Sequence, residues 1–82
     1  SGLLTPSEVR SIALAELDLG PQSVVWDVGA GSGSVAIEDA QIASGGQVFA
    51  IEMDAADHQL IIANAERFGV PNLVPVLERG AR

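Results

Sequence analysis

Apolar and polar residues follow two periodicities that alternate along the chain. Short, mostly apolar runs have the composition of buried parallel strands; they occupy residues 23–28, 47–52 and 73–77. Apolar residues recur at helical spacing in the stretches before these runs, which are residues 6–19, 34–43 and 55–68. The order αβαβαβ predicts an α/β fold whose parallel strands lie in the spatial order 3-2-1, because strand–helix–strand units cross over right-handedly. Such a sheet is half of a doubly wound fold.

Residues with known terminal preferences mark the ends of several predicted elements. Thr5 is suited to cap the first helix and Asp54 the third, because their side-chain oxygens accept free backbone N–H groups. Gly69 ends the third helix in the left-handed conformation that glycine adopts easily. Pro75 predicts that the third strand lies at an edge of the sheet, because proline cannot donate a hydrogen bond to a neighbouring strand.

The same patterns predict which side chains are buried. Trp26 belongs to the core, since the first strand is apolar on both faces. Apolar residues on one face of the third helix are expected to pack together; they are Ile61, Ile62, Ala65 and Phe68. Asp39 is expected among the solvated charges of the second helix, and His58, the single histidine, has a surface or packing role.

The first strand runs into a loop in which Gly29, Gly31 and Gly33 occupy alternate positions. Glycine lets the backbone approach a ligand, and the following helix directs free N–H groups at the same place, as in sites for anionic or adenosine-bearing ligands. Glu52 ends the next strand, where its carboxylate could accept both ribose hydroxyls of an adenosine or remain a solvated strand-end charge. Asp27 could either bond the loop amides or contact the ligand.

Composition excludes several other classes of function. The chain has 11 acidic and 4 basic side chains and a net charge of -7, so we expect no nucleic-acid partner. Cysteine is absent, which excludes a disulfide framework and a cysteine metal site, and no other pattern predicts a metal. No apolar run approaches the roughly 20 residues of a membrane span, and we expect no signal peptide. These features predict a cytoplasmic protein without a membrane partner.

The loop glycines are spaced G-x-G-x-G, one residue shorter than the G-x-G-x-x-G of dinucleotide-binding loops. Residues 27–33 resemble the first motif of class I S-adenosylmethionine-dependent methyltransferases, and Glu52 is similar to the acid of their second motif. Further segments resemble the decarboxylating precorrin methyltransferases of cobalamin biosynthesis; they are residues 4–10, 26–35, 37–38, 49–52 and 64–70. The resemblance implies half of a Rossmann-like methyltransferase fold, as one domain over residues 1–82.

The resemblance also implies that S-adenosyl-L-methionine is the cofactor. In that family a threonine, the glycine loop, the acid after the second strand and an alanine after the third strand contact it. The matching cofactor-binding residues, with Asp27 included, are Thr5, Asp27, Gly29, Ala30, Gly31, Ser32, Gly33, Glu52 and Ala81. Gly80 stands where the family often has an acid, and no catalytic residue is assigned.

The family's fold continues beyond the third strand into a tetrapyrrole-binding half. We therefore expect the cofactor-binding half of a precorrin-type methyltransferase, inactive as an isolated fragment. The alternative is a self-assembling structural α/β fragment without ligand affinity. In either case the open edge of the first strand, residues 24–28, is predicted to pair with a second copy. Antiparallel pairing about a two-fold axis would give a homodimer with strand order 3-2-1-1′-2′-3′.

Overall fold

A computed structural model of the chain describes residues 19–79. The elements within this range follow the predicted order; they are β1 (Val24–Val28), α1 (Ser34–Ile42), β2 (Gln47–Glu52), α2 (Ala55–Phe68) and β3 (Leu73–Leu77). The predicted first helix with its cap Thr5 lies outside the described residues, as do Gly80 and Ala81. Within residues 19–79, no helix has both the length and the apolar character needed to cross a bilayer.

The strands form one parallel sheet in the order β1-β2-β3, with β2 in the centre. This confirms the predicted order, read from the opposite edge. Pro75 lies in the edge strand β3, paired with Ala50, as its missing N–H predicts. Trp26 pairs with Phe49 across β1 and β2, so the two aromatic residues lie on the same face of the sheet.

The hydrophobic core lies between one face of the sheet and the two helices. Successive strand residues point to opposite faces, so the inner face carries the buried Val25, Val48 and Leu73. The helices cover this face with small and branched side chains; the buried ones are Ala36, Ile37 and Ala40 from α1 and Ile61 from α2. Both helices lie on this side because right-handed crossovers that move in one direction across a sheet place them there.

The outer face of the sheet corrects the prediction that Trp26 is a core residue. Trp26 and Val24 are each 63% exposed and Val28 is 76% exposed, although Trp26 stacks on Phe49 with ring centroids 4.5 Å apart. The first strand is therefore apolar on both faces but buried on only one. The composition of a strand indicates how apolar it is. Which of its faces is buried depends on the side of the sheet on which the connecting helices lie.

Helix α2 confirms the predicted caps but has a narrower buried stripe than expected. Asp54 Oδ1 accepts the Ala56 N–H at 3.0 Å, and Gly69 adopts a left-handed conformation with φ 63°. Ile61 is fully buried, whereas Ile62 and Phe68 are exposed. Adjacent helical residues are about 100° apart, so Ile61 and Ile62 cannot both face the sheet.

The end of α1 is fastened to the start of β3 by one side chain. Asn72 Nδ2 donates to the carbonyls of Ala40 and Ala43, at 3.0 and 2.8 Å. These carbonyls lie at the C-terminal end of α1, where the helix itself supplies no N–H partners. Asn72 therefore supplies hydrogen-bond donors to the C-terminal end of α1, the helix whose N-terminus follows the glycine loop.

Candidate functional site

The glycine loop connects the carboxyl end of β1 to the N-terminus of α1. Gly29, Gly31 and Gly33 all have positive φ, at 73°, 59° and 87°, and Gly33 is the N-cap residue of α1. Residues with a Cβ adopt this conformation at a cost of roughly 1–2 kcal/mol each. No side chain caps α1, so its first N–H groups face the end of the loop.

Backbone hydrogen bonds hold the loop against the end of β2. The N–H groups of Gly29 and Ala30 both donate to the Ile51 carbonyl, at 2.8 and 3.1 Å. Gly33 N–H then turns back to donate to the Ala30 carbonyl at 2.9 Å. The first part of the loop is thereby an extension of the β1–β2 ladder, which places it beside the residue that ends β2.

Glu52, the last residue of β2, binds the loop directly. Its Oε1 accepts the Gly31 N–H at 2.7 Å, and its Oε2 accepts the Met53 and Asp54 N–H groups at 3.0 Å each. The bonds from Asp54, Gly31 and Met53 hold the pKa of Glu52 below its usual value. Glu52 is thus an ionised carboxylate tied to the loop rather than a freely solvated strand-end charge.

Asp27 lies on the inner face of β1, close to the end of the strand. The loop amides donate to Ile51 and Glu52, so the interpretation that Asp27 holds these amides is wrong. Its Oδ2 is buried and finds no hydrogen-bond partner within residues 19–79. Burial, followed by the charge of Glu52, raises the pKa of Asp27.

Asp39 on α1 is a second buried carboxyl group, and it was wrongly predicted to be solvated. The residue is 1% exposed, and its Oδ1 also has no partner among the described residues. Burial, then the charges of Asp27 and Glu38, raise the pKa of Asp39 to about 6. The sequence analysis placed Asp39 in solvent because the residue is acidic. Its position on α1 nevertheless faces the core.

Helix α2 supplies two contacts to the loop that the sequence analysis did not identify. Asn64 Nδ2 donates to the Ser32 carbonyl at 3.0 Å. Ile61 lies against Gly33 so closely that a Cβ on this glycine would be 3.2 Å from Ile61 Cγ1. The sequence indicated only that Ile61 and Asn64 lie on one face of the helix, since they are three residues apart.

The predicted site residues within residues 19–79 lie around one loop, with Asp27 below it and Glu52 beside it. Thr5 and Ala81 fall outside the described range. No group of acids or histidines in residues 19–79 is arranged to hold a metal ion. A surface cavity of about 350 Å³ lies at the C-terminal end of α2, around Gly69 and Pro71, and is separate from the loop.

Known proteins that resemble this chain share both its sequence and this loop-bearing fold. Residues 1–81 match the family described as "Precorrin methyltransferase domain". The chain belongs to this family. The resemblance noted in the sequence is therefore confirmed for almost the whole chain.

Two relatives illustrate how far the match of this precorrin methyltransferase domain extends. The probable cobalt-precorrin-6B C(15)-methyltransferase (decarboxylating) of Pyrobaculum calidifontis is 46% identical over 78 residues, which are 94% of this chain and 40% of the relative. The crystal structure of precorrin-6y C5,15-methyltransferase from Geobacter metallireducens superposes with a TM-score of 0.83 and 36% identity, covering 95% of this chain and 42% of that one. The chain thus spans about 40% of the length of such relatives.

A third structure of similar fold contains a ligand. The RNA methyltransferase from Salinibacter ruber, solved in complex with S-adenosyl-L-homocysteine, has a TM-score of 0.76 and 29% identity, covering 95% of this chain and 50% of that one. The precorrin methyltransferase domain therefore has the α/β architecture of Rossmann-like methyltransferases, including those with other substrates.

Proposed function

We propose that this chain binds S-adenosyl-L-methionine at the glycine loop and provides the cofactor-binding part of a decarboxylating methyltransferase that acts on a precorrin in cobalamin biosynthesis. The observation that carries the proposal is the 2.7 Å hydrogen bond from Gly31 N–H to Glu52 Oε1. It joins the two elements that an adenosine site of this kind requires, a loop that exposes its backbone and an ionised acid at the next strand. Family membership supports the proposal for the precorrin substrate.

The groups around the loop suit a ligand of this chemistry. A Cβ built on Gly29 or Gly31 would meet no atom of residues 19–79 within 4 Å, so the described side chains leave this side of the loop open. Glu52 has room for a further donor, because a carboxylate has about four acceptor positions and three backbone N–H groups use it here. A ribose hydroxyl is a donor that suits the one remaining position.

The loop peptide between Gly31 and Ser32 suits the amino acid end of the cofactor. Its carbonyl and N–H have no hydrogen-bond partner within residues 19–79, while the neighbouring loop peptides are bonded. A trans peptide directs its carbonyl and its N–H to opposite sides, so the side that faces the ligand can offer either an acceptor for the ammonium group or a donor for the carboxylate group of an α-amino acid. The Asp27 carboxyl group, whose Oδ2 is buried, lies on the strand below, and in its ionised form it adds negative potential for the ammonium.

The reactive chemistry would come from the bound cofactor, whose sulfonium carries an electrophilic methyl group. The residues of this chain bind and orient: Glu52 fixes the ribose, the loop peptide fixes the amino acid end, and the positive-φ glycines keep the backbone close. Holding two reactants in line supplies most of what methyl transfer needs.

Calorimetry of the full chain with S-adenosyl-L-homocysteine tests the cofactor site. Glu52→Gln removes the charge that accepts the ribose hydroxyl and should weaken binding about ten- to a hundredfold. The matched control is Glu66→Gln, which alters an exposed acid on α2 and should leave affinity unchanged. Equal affinities for the Glu52 and Glu66 variants, or no binding by the folded wild-type chain, would contradict the proposal.

A second candidate function is self-assembly through β1, with another copy of the chain as the partner. The observation that favours it is the exposure of Val24, Trp26 and Val28 on a strand whose outer edge is open in the described structure. Unpaired strand edges with apolar side chains readily pair with another chain. Antiparallel pairing of β1 with its copy would create the predicted homodimer, and sedimentation of the full chain over a concentration series tests it.

A further inference from the structure

Two side chains of helix α2 contact two neighbouring residues of the glycine loop. Ile61 packs against Gly33, and Asn64, one helical turn later, donates to the Ser32 carbonyl at 3.0 Å. Ile61 is fully buried and supplies apolar packing, whereas Asn64 is only partly buried and supplies a directional bond. Of the two contacts, the Asn64 bond is the one that can set the orientation of a loop peptide.

Two loop peptides are held at both of their polar groups. In the Ser32–Gly33 peptide, the carbonyl accepts from Asn64 and the N–H donates to the Ala30 carbonyl. In the Ala30–Gly31 peptide, the carbonyl accepts from Gly33 and the N–H donates to Glu52. Rotating either peptide would break two hydrogen bonds, even though the positive-φ glycines would otherwise permit several orientations.

The peptide between these two is the one without a partner in residues 19–79. Because its neighbours on both sides are fixed, the Gly31–Ser32 peptide is held in one orientation while its own N–H and carbonyl stay available. Glu52 fixes the neighbour on one side, and Asn64 fixes the neighbour on the other. Losing either bond would let the unpaired peptide change direction.

We propose that Asn64 is a positioning residue of the cofactor site. It does not touch the ligand; it locks the Ser32–Gly33 peptide so that the adjacent Gly31–Ser32 peptide is presented to the amino acid end of the cofactor. The ligand part of this inference rests on the proposed function, whereas the ordering of the loop by Asn64 stands on the described hydrogen bonds alone.

Amide hydrogen exchange of the ligand-free full chain, followed by NMR, tests the ordering of the loop. In Asn64→Ala, the Gly31 and Gly33 amides should exchange roughly five- to tenfold faster relative to the β2 amides. The matched control is Asn72→Ala, which removes the same kind of side-chain bonds to backbone carbonyls at the other end of α1. Its loop amides should keep their wild-type ratio to the β2 amides.

A purely structural role for Asn64 predicts a different result, in which all amides of the sheet and loop accelerate together. That outcome, or unchanged loop exchange in Asn64→Ala, would overturn the proposal. Asn64→Asp provides a second variant of the same size that cannot donate to the Ser32 carbonyl, and it should reproduce the loop-specific effect.

Calorimetry with S-adenosyl-L-homocysteine then tests the ligand part. Asn64→Ala should weaken binding roughly five- to tenfold, and Asn72→Ala should leave it unchanged. If the wild-type chain does not bind, the proposed function is wrong, while the exchange experiment still decides whether Asn64 orders the loop. If the wild-type chain binds and Asn64→Ala binds equally well, the positioning role is wrong and the proposed function stands.

Discussion

At the scale of single residues, carboxyl groups near the glycine loop are in opposite electrostatic situations. Glu52 accepts backbone N–H groups that favour its ionised form, so its pKa is lowered. Asp27 Oδ2 and Asp39 Oδ1 are buried and have no hydrogen-bond partner within residues 19–79, and burial raises the pKa of both carboxyl groups. The distribution of donors, rather than the residue type, therefore decides in which direction the pKa of each carboxyl group is shifted.

This contrast predicts that stability falls as pH rises from about 4 to about 7. The folded chain holds a proton on Asp39 up to a pKa of about 6, whereas the unfolded chain loses it near 3.8. In this window the folded state binds more protons, so the free energy of unfolding decreases with pH until Asp39 is ionised in both states. The raised pKa of Asp27 also makes the free energy of unfolding decrease as pH rises. The lowered pKa of Glu52 has the opposite effect, but only below the usual pKa of that carboxyl group.

Urea unfolding at several pH values measures this effect. Asp39→Asn should flatten the profile and raise the free energy of unfolding at pH 7 by about 2 kcal/mol, with little change near pH 4. Glu66→Gln, which alters an exposed acid, should retain the wild-type slope. A slope that survives in Asp39→Asn would show that another group causes it.

At the scale of elements, the glycines that join strands and helices are needed for different reasons. Gly31 requires left-handed backbone but has open space around it, and Gly33 has both a positive φ and Ile61 nearby. Gly46, before β2, is limited by contact instead: a Cβ there would lie 1.9 Å from the Ser23 carbonyl oxygen. That oxygen accepts the Gln47 N–H at 3.0 Å, so the start of the β1–β2 ladder occupies the space.

An alanine series at these glycines should therefore give graded losses of stability. Gly31→Ala should cost about 1 kcal/mol, from backbone strain alone. Gly33→Ala should cost about 2 kcal/mol because Ile61 must also shift, and Gly46→Ala about 3 kcal/mol or more because two backbones must separate. Chemical denaturation measures the series; a smaller loss for Gly46→Ala than for Gly31→Ala would contradict the steric account.

The same elements show what the sequence could and could not predict. The strands, the caps Asp54 and Gly69 and the glycine loop are local patterns, and each was located correctly. The position of Glu52 beside the loop followed from parallel-sheet topology, since neighbouring strands end at one edge, whereas its bond to the Gly31 N–H was seen only in the structure. The contact from Asn64 to Ser32 joins residues 32 positions apart, and no periodicity encodes which side chain of α2 reaches the loop.

At the scale of the whole molecule, the two faces of the sheet have different roles. The inner face and the helices form the core, and the loop and Glu52 lie at the carboxyl edge. On the outer face, β1 and β2 contribute apolar side chains; these are Val24, Trp26, Val28, Phe49 and Ile51. The strand that leads into the glycine loop thus also borders the exposed apolar surface, so the proposed assembly at β1 and the proposed ligand binding at its end share one element.

Trp26 provides a direct measure of the proposed assembly because it is the single tryptophan of the chain. If two copies pair along β1, its emission should shift to shorter wavelength as concentration rises, in step with the sedimentation-derived dimer fraction. In β1, the Gly29 N–H and the Ser23 carbonyl face β2, so by alternation the Val24 N–H faces the open edge. Val24→Pro should therefore abolish the dimer while preserving the β1–β2 ladder.

Leu77→Pro is the matched control, because the Asn72 carbonyl and the Glu78 N–H bond to β2, so by alternation the Leu77 N–H faces the open edge of the opposite edge strand β3. Pairing through β1 predicts that this variant, where folded by circular dichroism, still shows the emission shift. Val24→Thr, which keeps β-branching and lowers the apolar area, provides a milder test and should weaken the dimer without unfolding the chain. A wild-type chain that stays monomeric at all concentrations, or a dimer that persists in folded Val24→Pro, would exclude assembly through this edge.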